Sequence, residues 1–181
     1  MDLNEALRQY WTVGHYSFCG DDLHTDRRFY CRDGEGLRII DEALLPQLEA
    51  ANPGQIFEMI YEDGFSWMRR ILPQLQQRLG HKVQLIEFSK PPKYVIRGRT
   101  ILFVEVVSLG MDGLFMGMVV RPQFWPTEIH GVLDRSIDGF SHLDGMRVRT
   151  AFRQKTNIWL TEDCPLCLAG VPIDVSDLAR G

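Results

Sequence analysis

One acid stands out in the most apolar stretch of this chain. Residues 100–107 read TILFVEVV, and Glu105 is the only charge in that run. Such a segment suits an interior parallel strand buried on both faces. Ligands of open α/β sheets bind beyond the C-terminal strand ends, where Glu105 would stand. Ser108, Leu109, Gly110, Met111, Asp112 and Gly113 follow as a glycine-containing turn and lead into a predicted helix over 110–120. Backbone N–H groups at a helix start favour a phosphate. A solvated acid followed by an ordinary loop accounts for the same residues.

Sulfur and imidazole supply a second set of candidates. Cys164-Pro-Leu-Cys167 has the spacing of half a zinc site. Two further ligands are needed, and Cys19, Cys31, His15 or His24 offer the right atoms. Twelve positions separate Cys19 from Cys31, which is no knuckle spacing. The other histidines, His81, His130 and His142, are scattered and form no HxxxH or HExxH pattern. A thioredoxin-like redox role does not suit the CxxC, because it does not open a helix after a strand.

These residues need a frame. Asp2 and Glu5 have capping-box spacing at the start of a short helix. Residues 11–36, rich in Gly, Asp, His and Arg, are expected to be irregular or short strands. Leu37, Ile40, Leu44, Leu45 and Leu48 recur at helical spacing, and Asn52-Pro53-Gly54 stops that helix. A strand over 55–61 precedes a helix over 66–79, which Pro73 is expected to kink or shorten and Gly80 to cap. Strands over 83–88, 100–107 and 129–133 complete an alternation of strands and helices, the pattern of a parallel α/β sheet. One domain is expected, since no repeat or linker divides the chain.

Composition excludes several classes. A net charge of −4 argues against a general nucleic-acid binder. No apolar run approaches the roughly 20 residues that span a bilayer, and the acidic N-terminus does not look like a signal peptide. A cytoplasmic location with reduced thiols is expected.

Several segments together resemble the orotate phosphoribosyltransferase family, one of the type I phosphoribosyltransferases. They are Gly14-His15-Tyr16 with Leu23-His24-Thr25, the strand and loop around Glu105, Gly131-Val-Leu-Asp134-Arg135-Ser136, and Thr161-Glu-Asp-Cys164-Pro-Leu-Cys167-Leu-Ala-Gly170-Val-Pro172. They occur in the family's order and cover nearly the whole chain. The resemblance implies a phosphoribosyltransferase-type, Rossmann-like parallel sheet flanked by helices. It divides residues 1–181 into an N-terminal hood and dimer region (1–50), a core (55–135) and a C-terminal tail carrying the CPLC motif (136–181). It also implies a homodimer, with another protein as a further possible partner, and no nucleic acid or membrane. The family's two adjacent acids hold the ribose hydroxyls of phosphoribosyl pyrophosphate, and the loop after them wraps the 5′-phosphate. Glu105 matches the first acid and Ser108, Leu109, Gly110, Met111, Asp112 and Gly113 match the loop. Asp134 and Arg135 fall on the substrate side. The basic cover for pyrophosphate falls on Lys90, Lys93 and Arg97.

The chain departs from the family at three ligand loops. Val106 replaces the second acid. Glu62 and Asp63 stand in the turn that should receive pyrophosphate, where two carboxylates repel a polyanion. Two prolines stiffen the basic loop at 90–93. The expectation is a non-catalytic descendant kept for binding or assembly, with no cofactor. The alternatives are a divergent active enzyme using phosphoribosyl pyrophosphate with Mg²⁺ in pyrimidine metabolism, and a sensor of nucleoside monophosphates. Cys164 and Cys167 are expected to be an inherited tail feature without zinc.

Overall fold

A computed structural model describes residues 2–18, 23–60, 65–88, 99–107, 126–136, 139, 141–143 and 145–174. The chain divides into two compact units, Met1–Ile39 with Lys155–Gly181, and Ile40–Gln154. No linker in the sequence suggested this division, because the smaller unit is assembled from both ends of the chain.

The larger unit is built on a six-stranded sheet. In chain order its strands are β3 (Gln55–Met59), β4 (Gln84–Phe88), β5 (Thr100–Val107), β6 (Glu128–Asp134), β7 (His142–Leu143) and β8 (Met146–Arg153). They lie in the order β4-β3-β5-β6-β8-β7. All neighbours are parallel except the short edge strand β7, which pairs antiparallel with β8. As expected from its apolar run, β5 is interior, between β3 and β6, and Ile101, Leu102, Phe103 and Val104 are fully buried. Phe57, Leu102, Val104, Val107, Ile129, Leu143, Met146 and Val148 form one continuous apolar cluster. The sequence placed the end of this core at residue 135; β7 and β8 carry the sheet on to Arg153.

Two helices flank the sheet. The first, α2 (Gly34–Ala51), is capped by Asp33, whose carboxylate accepts from the Gly36 N–H at 3.0 Å. Asn52, at φ 47°, follows its last residue. The second, α3 (Trp67–Leu79), begins at the N-cap Ser66 and ends at Gly80 in the left-handed region, φ 70°. Pro73 was expected to kink or shorten α3, yet the helix runs through it, as α2 runs through Pro46. An interior proline costs about 3 kcal/mol or more. Burying one large apolar side chain returns about 1.5–3 kcal/mol. Trp67, Met68, Ile71 and Leu75 are all buried in α3, and Leu44, Leu45 and Leu48 in α2, so packing outweighs the local penalty. Arg70 pairs with Asp41 of α2 and Arg69 with Glu87 of β4.

The smaller unit holds a three-stranded antiparallel sheet in the order β1-β2-β9. It opens with a short helix α1 (Leu3–Ala6), capped by Asp2, and a 3-10 turn (Arg8–Tyr10). Residues 11–36, expected to be irregular or short strands, form β1 (Trp11–Phe18) and β2 (Leu23–Phe29). From the tail, β9 (Ile158–Leu160) pairs with β2, and a 3-10 turn (Thr161–Asp163) leads to the four-residue helix α4 (Pro165–Leu168). The sequence had assigned these segments separately to an N-terminal region and a tail. Among the described residues no helix is long and apolar enough to cross a membrane.

Phe103, fully buried on β5, tests the interior-strand assignment. Phe103→Ala should destabilise the chain by about 3–5 kcal/mol, while Gln77→Ala on the exposed side of α3 should stay within about 0.5 kcal/mol. Urea unfolding midpoints compare the two.

Candidate functional site

Two constellations bear on function. The first is the C-terminal edge of the parallel sheet. The order of its parallel strands is doubly wound, and the order reverses between β3 and β5. Ligands of such sheets lie in the crevice at that switch point. Glu105 and Val106 sit there, both half-buried, just before the end of β5. Because strand side chains alternate, the two project to opposite faces. Asp134 ends β6 opposite Val107, and the Arg135 N–H donates to the Val107 carbonyl at 2.9 Å.

Asp134 is 3% exposed, and its Oδ1 accepts from the Ser136 N–H at 2.8 Å and the Ser136 hydroxyl at 2.6 Å. Arg153 Nε stands 4.0 Å from its Oδ2. This carboxylate, assigned to the substrate side from sequence, holds its own turn. Ser108, Leu109, Gly110, Met111, Asp112 and Gly113 lie outside the described residues, as do Lys90, Lys93 and Arg97 and the turn with Glu62 and Asp63. The described part of this edge therefore brings together Glu105, Asp134 and Arg135 alone of the sequence candidates.

Glu58, one position before the end of β3, escaped the sequence reading. It is 1% exposed and accepts hydrogen bonds from the Ser66 hydroxyl and, at 3.0 Å, from the Met68 N–H. Burial pushes its carboxyl up, against the lowering effect of those donors. A buried acid with a shifted pKa near a switch point is a candidate for chemistry. Here the carboxylate is engaged by the start of α3, where N–H groups lack helical partners, and its role is to dock that helix.

The second constellation lies within the smaller unit. His15 on β1, His24 on β2, and Cys164 and Cys167 at the start and within α4 place one ligand atom each within 4.8 Å of all the others. His15 Nε2 is 2.9 Å from His24 Nδ1, 3.5 Å from Cys164 Sγ and 3.6 Å from Cys167 Sγ; Cys167 Sγ is 3.1 Å from His24 Nδ1. His15, His24 and Cys164 are buried and Cys167 is half-buried. Burial and the neighbouring Cys164 both raise the Cys167 pKa.

Local sequence explains the convergence. Between Val13 and Tyr16 the β1–β2 register slips, so that Gly14 and His15 together face Asp26. Such a bulge re-aims a side chain. A Cβ on Gly14 would lie 2.7 Å from the Tyr16 ring, which favours glycine there. On the other side, β9 pairs Trp159 with His24, and the next turn delivers Cys164. Gly170, at φ 71°, turns the chain back, so that the Val171 carbonyl meets His15 Nδ1 at 2.8 Å. His24 Nε2 is 3.4 Å from the Thr161 hydroxyl. Cys31 lies against the Gly36 and Tyr10 side of the unit and is not part of the group, and Cys19 lies outside the described residues. The spacing of Cys164 and Cys167 exposed half of this constellation and left His15 and His24 among four candidate partners, whereas the bulge that selects them had no recognised signal.

The shift on Glu58 has a sign. An acid whose folded-state pKa lies above its unfolded value keeps its proton longer in the folded chain. It contributes a stability difference that is lost as pH rises from the ordinary glutamate value through the raised one. Wild type should therefore lose stability relative to Glu58→Gln as pH rises above the ordinary glutamate value of about 4.3. Parallel urea titrations of both proteins measure this, and a difference that does not change with pH excludes the shift.

Comparison with known proteins gives little sequence support. No protein-family model matches the chain, and no curated protein matches it. Among solved structures it is similar to a purine phosphoribosyltransferase from Pyrococcus horikoshii Ot3, with 12% identity and a TM-score of 0.38, over 65% of this chain and 89% of that one.

Proposed function

We propose that this chain is an orotate phosphoribosyltransferase-like α/β protein in which the ribosyl-transfer site has decayed, leaving a non-catalytic protein kept for binding or assembly. The observation that carries this reading is the pair Glu105–Val106 at the C-terminal end of an interior parallel strand beside the switch point. The ordered motifs along the sequence support the ancestry. Pairing of two chains belongs to the same reading.

The chemistry explains why Val106 matters. Ribosyl transfer builds positive charge on the sugar and negative charge on the departing pyrophosphate. Two acids on the ribose hydroxyls position the sugar, and an apolar side chain accepts no hydrogen bond from a hydroxyl. Asp134 stands on the neighbouring strand β6, and its Oδ1 is held by two donors of Ser136. Loss of one preorganised polar partner typically costs on the order of 10²–10³ in rate.

With orotate, phosphoribosyl pyrophosphate and Mg²⁺, the purified chain should show no turnover above background, followed by orotate absorbance. Robust turnover that disappears in Glu105→Gln would replace this reading with a divergent active enzyme. Calorimetric titration with nucleoside monophosphates, run on the same sample, reveals a surviving sensor site.

A further inference from the structure

We infer that His15, His24, Cys164 and Cys167 form a closed tetrahedral site for a single zinc ion that staples the N-terminal hairpin to the C-terminal tail within the smaller unit. The inference is independent of the phosphoribosyltransferase reading and departs from the expectation that the cysteine pair carries no metal.

Three observations carry it. The donor set is two thiols and two imidazoles, which suits zinc rather than the hard cations that prefer oxygen. The spacings fit: zinc bonds of about 2.3 Å to sulfur and about 2.0–2.1 Å to nitrogen give tetrahedral S–N edges of about 3.5 Å. His15 Nε2 stands 3.5 and 3.6 Å from the two sulfurs, while His24 Nδ1, at 2.9 Å from His15 Nε2 and 3.1 Å from Cys167 Sγ, moves outward by about 0.4 Å to admit the ion. Each imidazole also engages an oxygen with its other ring nitrogen, His15 Nδ1 with the Val171 carbonyl and His24 Nε2 with the Thr161 hydroxyl. A carbonyl can only accept, so His15 Nδ1 carries the proton and Nε2 presents its lone pair to the centre. Outer partners of this kind orient histidine ligands on a metal.

The smaller unit also has a physical need for such an ion. The unit buries His15, His24, Thr25 and Thr156 beside a short set of apolar side chains, Leu7, Tyr16, Leu37 and Ile39 among them. A small unit with a thin apolar core is commonly held by a metal or by disulfides. Four protein ligands leave no open position for water or substrate, so the ion's role is structural. Binding converts both thiols to thiolates, and the two protons pass to solvent.

The test uses the whole chain, purified under reducing conditions after growth with zinc. Elemental analysis should give one zinc per chain. Exchange with Co²⁺ should give a thiolate-to-metal charge-transfer band and the visible absorption of a tetrahedral ion. Cys167→Ser and His24→Gln should each weaken zinc at least tenfold in competition with a chromophoric chelator, and Cys31→Ala should retain one zinc. Because a ligand variant could fail to fold, wild type is also followed by hydrogen exchange. Chelation should remove protection from residues 11–18, 23–29 and 158–160 and leave residues 100–107 protected. A chain that takes up neither zinc nor cobalt, a Cys164–Cys167 disulfide in freshly isolated protein, or equal zinc affinity in wild type and both ligand variants would overturn the inference.

Discussion

A strand buried on both faces is the constraint on which the larger unit depends. Once residues 100–107 leave water, each of their N–H and C=O groups needs a partner, because an unpaired buried backbone group costs about as much as a lost hydrogen bond. Ladders on both sides meet that demand, and so β5 lies between β3 and β6. Parallel neighbours need long crossovers, and the helices that supply them cover the faces. This explains why α3, the crossover between β3 and β4, tolerates Pro73: its buried stripe is required by the sheet.

The two units treat buried polar groups differently. In the larger one, several have a partner on a neighbouring turn or strand, although His130 Nδ1 has no hydrogen-bond partner among the described residues. Glu58 takes the start of α3, Asp134 takes Ser136, and fully buried His130 sits 3.0 Å from Glu128. Burial holds His130 below its ordinary value even with that carboxylate beside it. In the smaller unit two buried imidazoles face one buried and one half-buried thiol in a single centre, and Thr25 and Thr156 are buried outside it. Such a centre resembles a ligand set more than a core.

The sheet edge and the cysteine–histidine centre differ as guides to function. At the edge, architecture supplies a place for a ligand, but the side chains there are few: one acid, a valine beside it, and an aspartate used by its own turn. Fold alone does not assign an activity, since function resides in the site. The proposal of a decayed transferase follows from what those side chains can and cannot donate or accept.

Much of the frame was legible in the sequence because it is written in local periodicity. The apolar run 100–107, the helical stripe from Leu37 to Leu48, and Ser66 and Gly80 at the ends of α3 each act over a few residues. Pro73 misled, because the sequence shows its local penalty but not the burial that offsets it. The second site was legible in part: the CPLC spacing is local and visible, and His15 and His24 stood among the candidate partners with nothing to choose them over Cys19 and Cys31. Its completion depended on a bulge at Gly14–His15, on the pairing of β2 with β9, and on a contact between residues 149 positions apart. Only the tertiary structure could decide that, because strand register and long-range pairing are set by packing over the whole unit, and no short window of sequence records them.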